Sequence, residues 1–270
     1  MKWIMKQWDA VNFQLMKTKN NLIKKFNPIK LSLKKTPVSK LGDHYSFIYV
    51  PEDFIHSSSI VYSVGVGEDI LSDIELINKT NCPIFLFDPT PRSKDHFDYV
   101  IKSIKEDTKS YSEEGTEYIT NQSMLEKLKY YPFALHTRDE LVKFFVPKVA
   151  SAVSHSIQNI QNTDEFIHVE AKRVSTLMKM LGHSKIDFLK LDIEGSEFDV
   201  LDDIIKDGLE INCIYVEYHY DKKIGMKSSI EKIQDSVNRI SKAGYEPYFM
   251  EDDRYIGFIK LDLFKDQHHF

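Results

Sequence analysis

Cysteine is scarce: Cys82 and Cys213 are the only two in 270 residues. Both lie in apolar, strand-like runs, so they read as reduced core residues and exclude a disulfide framework or a thiolate metal cluster. Uninterrupted apolar runs of about 20 residues, the length that spans a bilayer, are missing too. So are signal-peptide architecture, internal repeats and low-complexity tracts, and a cytoplasmic protein is expected. Acids are nearly absent from residues 1–40, where Asp9 stands alone against ten lysines. That segment carries +9 and the remainder −14, within a net charge of −5. An acidic body argues against a broad nucleic-acid face.

The basic arm, residues 1–40, places Ile4, Trp8, Val11 and Leu15 on one helical stripe. Such a stripe packs on its own domain, or docks on an anionic membrane or a partner. Pro28 and Pro37 break the following stretch into extended linker. Residues 41–270 are then expected to form a single domain.

What is present is organised around Ile186 to Glu197 (IDFLKLDIEGSE). Ile186, Phe188, Leu189, Leu191 and Ile193 have the pattern of a strand buried on both faces. Asp192, Glu194 and Glu197 follow at its carboxyl end, with Gly195 for the turn. Ser196 and Asp199 make an S-x-x-D helix start, and Gly208 a stop. In open α/β sheets, ligands bind at the carboxyl ends of strands, where these acids stand. Asp187, at the other end of the run, is expected to be structural.

Upstream, Ile60 to Val64 form a strand and Gly65-Val66-Gly67-Glu68-Asp69 a turn, before Ile70, Ile74 and Ile77 at helical spacing. Ile84 to Phe87 make a second strand ending in Asp88. Tyr131 to His136 suit a third strand. Leu141 to Val146 and Phe166 to Val169 suit an added pair. Residues 92–129 read as polar and mostly helical. Val174, Leu177, Met178 and Leu181 mark a helix, and Ile211 to Val216 another buried strand, leading to Glu217, Tyr218 and His219. Ser228 and Glu231 cap a last helix, and Tyr245 to Met250 with Tyr255 to Leu261 form a hairpin. The sum is a doubly wound α/β domain, mostly parallel, with a C-terminal antiparallel hairpin.

The glycine turn lets backbone pass close to a ligand, and an acid about 20 residues on suits ribose hydroxyls. NAD asks for a third glycine, but that position is Ile70. Glu68 and Asp69 at the helix start would also repel a diphosphate. A cofactor with a ribose and a cationic sulfonium fits better, namely S-adenosylmethionine. Methyl transfer is therefore favoured over an NAD-dependent dehydrogenase.

The segments Val61 to Ile70 (VYSVGVGEDI), Phe87 to Pro91 (FDPTP), Ile186 to Glu197 and Val216 to His219 (VEYH) occur in this order in FkbM-type methyltransferases. The chain resembles that family from about Leu41 to Leu261, most specifically in L-K-x-D-x-E-G-x-E. The resemblance implies a class I, Rossmann-like methyltransferase fold. It also implies methyl transfer from S-adenosyl-L-methionine, commonly to a hydroxyl of a sugar or secondary metabolite. By position, Gly65, Val66, Gly67 and Glu68 line the cofactor, Asp88 holds its ribose, and Asp192 and Glu194 face its methionine end or the acceptor. Ser63 stands where related methyltransferases often place an acid, leaving Glu68 or Asp69 to serve the amino group.

Deprotonation of a hydroxyl acceptor needs a base, and His219 beside Glu217 is expected to supply it. Asp192, Glu194 and Glu217 offer a divalent cation a place, although direct hydrogen bonds to cofactor and acceptor are the expected arrangement. His155 lies in a polar loop suited to closing over an acceptor, and Tyr218 and Tyr220 either stack on a sugar or pack. The acceptor is expected to be a small molecule or glycan, with no nucleic acid. The competing reading is a catalytically silent cofactor-binding interaction module.

Overall fold

A computed structural model describes residue 25 and residues 28–44, 46–146, 155–159, 163–221 and 223–264. The stripe at Ile4, Trp8, Val11 and Leu15 lies outside the described residues. From residue 28 the chain runs extended to an antiparallel hairpin, Val38–Gly42 (β1) with Phe47–Pro51 (β2). β1 thus begins three residues before the expected start of the domain. Ile29 is already buried against the main core.

The central sheet is then laid down in strand–helix units. Val61–Val64 (β3) leads to helix Leu71–Thr80 (α1), Ile84–Phe87 (β4) to helix Pro91–Glu106 (α2), and Leu128–Tyr131 (β5) closes one edge. A side sheet follows, of Ala134–Leu135 (β6), Glu140–Phe145 (β7) and Phe166–Lys172 (β8), in the order β6-β8-β7. Helix Val174–Leu181 (α3) returns the chain to Ile186–Leu191 (β9), helix Glu197–Asp207 (α4) and Ile211–Glu217 (β10). Helix Gly225–Lys242 (α5) and the antiparallel strands Tyr245–Glu251 (β11) and Tyr255–Lys260 (β12) finish the fold. The sheet order is β11-β12-β10-β9-β3-β4-β5, parallel except for β12 and its partners. This is the expected doubly wound, mostly parallel sheet, and its order reverses between β3 and β9.

Alternation within the strands explains the two layers. Tyr62, Val64, Leu189, Leu191, Ile214 and Val216 face one cluster with α3, α4 and α5. Val61, Phe188, Cys213 and Tyr215 face the other, with α1, α2 and the β1–β2 hairpin. Both cysteines are free and buried, as expected. Among the described residues no helix is long and apolar enough to cross a membrane.

Three local expectations shift. The third main-sheet strand is β5, not Tyr131 to His136. Pro132 has no N–H to give a ladder, and Phe133 N turns back onto Tyr131 O (2.9 Å), so Ala134 and Leu135 leave for the side sheet. Of residues 92–129, the regular α-helix ends at Glu106, and Tyr111 and Glu117 then bridge as isolated β partners. Helix α5 begins at Gly225, so Ser228 and Glu231 lie inside it. Ser229 holds the preceding loop instead, accepting from Asp221 N (3.1 Å).

Candidate active site

Register brings the site together. Val64 pairs with both Phe87 and Leu191, and Leu191 with Val216, so four strands end at one level. The next residues, Gly65, Asp88, Asp192 and Glu217, therefore share the carboxyl edge, beside the point where the strand order reverses. They border a cavity of about 360 Å³ that Val66, Gly67, Glu68, Glu194, His219 and His155 also line.

The glycine turn is held from both sides. Gly65 has φ +75°, and a Cβ built there would lie 1.7 Å from the Asp192 carbonyl oxygen. The absent side chain is thus required by the chain's own packing. Gly67 N donates to Asp88 Oδ2 (3.0 Å), while Asp88 Oδ1 accepts from Thr90 N (2.8 Å) and Thr90 Oγ1 (2.6 Å). Three of about four carboxylate acceptor positions are then filled, which leaves room for one more donor. Burial raises the Asp88 pKa, against the opposing effect of these bonds.

Asp69 lines the cavity with one carboxylate oxygen already engaged. Its Oδ1 accepts from Leu71 N (2.8 Å) at the start of α1 and from the Tyr118 hydroxyl (3.3 Å). Burial lifts its pKa to about 6. Glu68 pairs with Arg92 at the start of α2.

Lys190 was not assigned a role from sequence, yet it lies within the site. Only 7% exposed, it donates from Nζ to Gly65 O (3.1 Å) and lies 3.7 Å from Asp192 Oδ2. Its charge also opposes the burial that raises the pKa of Asp73, the buried acid of α1. A lysine inside a wholly buried strand, three residues from Asp187, was the available signal, because a buried charge needs a partner.

On the other side of the cavity, His219 is surrounded by acids. Its Nδ1 lies 2.7 Å from Oε1 of Glu197, which has no exposed surface. Nε2 lies 3.5 Å from Glu194 Oε2 and 3.8 Å from both Asp192 Oδ1 and Glu217 Oε1. Burial would lower the imidazole pKa, but the Glu197 bond and the charges of Glu197, Glu194 and Asp192 outweigh it and raise it to about 10. Without a cation this arrangement favours the protonated imidazole, which runs against the expected role of His219 as the base. Glu217 is lifted to about 7, by burial first and by Asp192 next, while His219 and Arg254 pull the other way.

Glu197, one of the three junction acids, is a structural group. Its carboxylate accepts from Gly195 N (3.0 Å to each oxygen) and from Ile193 N (3.3 Å). Ser196 makes no side-chain cap, so Glu197 holds the turn in its place. Asp187 is structural as expected, accepting from Ile60 N (2.8 Å), Lys185 Nζ (2.8 Å) and Asn212 Nδ2 (2.9 Å).

Tyr218 packs, with its hydroxyl 3.0 Å from Ser236 Oγ and no exposed surface. Tyr220 reaches the Asp252 carbonyl (3.4 Å) instead. His155 stacks on Phe144 at 5.9 Å, and the adjacent Ser156 hydroxyl donates to the Glu194 carbonyl (2.5 Å). That loop therefore borders the acidic end of the cavity. Phe47 and Tyr255, 4.9 Å apart, add an aromatic wall that sequence reasoning missed.

A family model described as "Methyltransferase FkbM domain" matches residues 57–247. No curated protein matches the chain in sequence. Solved structures resemble it distantly. The Methanococcus jannaschii fibrillarin pre-rRNA processing protein is 8% identical at a TM-score of 0.41, over 77% of this chain and 68% of that one. Aeropyrum pernix fibrillarin, in complex with natively bound S-adenosyl-L-methionine, is 8% identical at 0.38, over 76% and 66%. The precorrin-6y C5,15-methyltransferase of Geobacter metallireducens is 10% identical at 0.35, over 76% and 80%.

Proposed function

The chain belongs to the FkbM methyltransferase family, and from that premise we propose that it is an S-adenosylmethionine-dependent O-methyltransferase acting on a hydroxyl of a sugar, glycan or related metabolite. The observation that carries the reading is one cavity in which a glycine turn and Asp88 face one end and Asp192, Glu194 and Glu217 the other. The donor set fits this cofactor. Glu68 and Asp69 border the turn where a diphosphate would be repelled, and Asp88 retains an acceptor position for a ribose hydroxyl. Bound there, the cofactor supplies a methyl group activated by the neighbouring sulfonium.

The chain's own residues do the rest. Gly65, Val66 and Gly67 present backbone to the cofactor, Glu68 is placed for its polar groups, and Asp192 stands between cofactor and acceptor. Alignment of the acceptor oxygen supplies much of the rate. The aromatic pair Phe47 and Tyr255 suits the apolar face of a sugar ring. Glu217, at the end of β10, is placed to take the hydroxyl proton. Glu217→Gln is then expected to lower kcat by about 100-fold or more while cofactor affinity stays within a few-fold. An unchanged kcat in single-turnover assays would remove Glu217 from that role.

Calorimetric titration with S-adenosylmethionine, S-adenosylhomocysteine and NAD tests the reaction class. The first two are expected to saturate one site. Asp88→Asn, which keeps an oxygen for the turn, should weaken both at least about tenfold, or 1.4 kcal/mol. Binding of NAD alone would overturn the reading.

A further inference from the structure

We propose that Asp192, Glu194 and His219 form a binding site for one divalent transition-metal cation at the acceptor end of the cavity. The role of that ion, to hold and polarise the acceptor hydroxyl, rests on the methyltransferase reading above. The ligand set differs from the three carboxylates weighed from sequence: His219 takes the place of Glu217 in the group whose donor atoms converge.

The geometry fits a ligand set. One oxygen from each of Asp192 and Glu194 and one nitrogen of His219 lie within 4.8 Å of one another. The two ring nitrogens behave differently. Nδ1 closes to 2.7 Å on Glu197, whereas Nε2 stays 3.5 Å from Glu194 and 3.8 Å from Asp192 and makes no hydrogen bond. Those separations are too long for hydrogen bonds. They suit donors sharing an ion, since two ligands each about 2.1 Å from one metal stand roughly 3–4 Å apart.

The surroundings complete the argument. A carboxylate on the far nitrogen fixes the orientation of a metal-binding imidazole, and Glu197 is such a carboxylate, itself buried and anchored by backbone N–H groups. The Tyr215 hydroxyl gives an independent sign of a ligand. Tyr215 is 1% exposed, its hydroxyl has no hydrogen-bond partner, and it lines the same cavity two residues before Glu217. A buried hydroxyl left unsatisfied costs about 1–3 kcal/mol, so this one calls for a polar group or water within the cavity. Mixed carboxylate and imidazole donors suit manganese, iron or zinc better than calcium. A cation there would polarise a hydroxyl oxygen as a Lewis acid.

The test uses the chelator-treated full chain titrated with manganese(II) chloride, with free ion read by electron paramagnetic resonance, with and without S-adenosylhomocysteine. One saturable site per chain is expected. Glu194→Gln and His219→Gln should each weaken it at least about tenfold. Glu231→Gln, on the exposed face of α5, should leave it unchanged. Thermal melts check folding, and if His219→Gln melts early, Glu194→Gln carries the test. No saturable manganese binding, or binding equal in wild type and Glu194→Gln, overturns the site. Calorimetry on the same samples keeps the two readings apart. Homocysteine-product binding without manganese binding overturns the cation site alone, and manganese binding without it overturns the methyltransferase reading alone.

Discussion

Gly65→Ala is expected to destabilise the protein by roughly 2–6 kcal/mol and to abolish cofactor binding. Two costs add. At φ +75° an alanine occupies a conformation that costs about 1–3 kcal/mol. Its Cβ would also fall 1.7 Å from the Asp192 carbonyl oxygen, so the ends of β3 and β9 must part. Overpacking of that kind costs about 1–3 kcal/mol more. The parting would break two further contacts, Asp192 N to Val64 O (3.2 Å) and Lys190 Nζ to Gly65 O (3.1 Å). Urea denaturation measures the loss, and Gly115→Ala isolates its steric part. Gly115 has φ +84° with nothing within 4 Å of a built Cβ, so it suffers the backbone cost alone. Equal losses in the two variants would refute the steric account.

The sheet was legible because its strands are short, apolar and followed by glycine or acid. The runs at β3, β4, β9 and β10 each end where a turn residue or carboxylate follows, and burial on both faces leaves no other periodicity to read. Elements whose form depends on distant partners were not legible. β5 stops where Pro132 denies the ladder a donor, a choice between two adjacent apolar runs that sequence left open. Tyr118 lies in a segment with no apparent chemistry, yet its hydroxyl meets Asp69 at 3.3 Å and His96 at 2.8 Å, from 49 and 22 residues away. Lys190 could be seen to need a partner, but Asp73 is identified only once α1 packs under β3.

The site shows the same division. Its residues were named from strand ends and motif positions, and the fold gathers them around one cavity. Their charge states depend on packing. His219 reads as a base beside one acid, and its protonated form is favoured, in the absence of a cation, once Asp192, Glu194, Glu197 and Glu217 converge on it from two strand ends and a helix start.

Glu197 controls that charge state, so Glu197→Ala is expected to have the largest effect outside the glycine turn. Its carboxylate is wholly buried and receives Gly195 N, Ile193 N and His219 Nδ1. Removing it leaves a buried cation and turn N–H groups without an acceptor, a loss of about 3–5 kcal/mol. Glu197→Gln keeps one oxygen and fills the same volume, so it should lose less and remain folded. In chelator-treated Glu197→Gln the His219 pKa should fall from about 10 towards the ordinary histidine range, because burial is then opposed only by the cavity-facing acids. The sign for stability follows from proton binding. A histidine whose folded pKa is raised gives stability that is complete below its unfolded pKa of about 6.5 and is lost as pH rises through about 10. The stability gap between wild type and Glu197→Gln should therefore be widest near pH 6 and should narrow above pH 10. Denaturant titrations across that range measure the gap, and imidazole nitrogen shifts report the proton directly. A gap that stays constant with pH would mean that Glu197 holds the turn without tuning His219, and an unshifted imidazole titration would say the same.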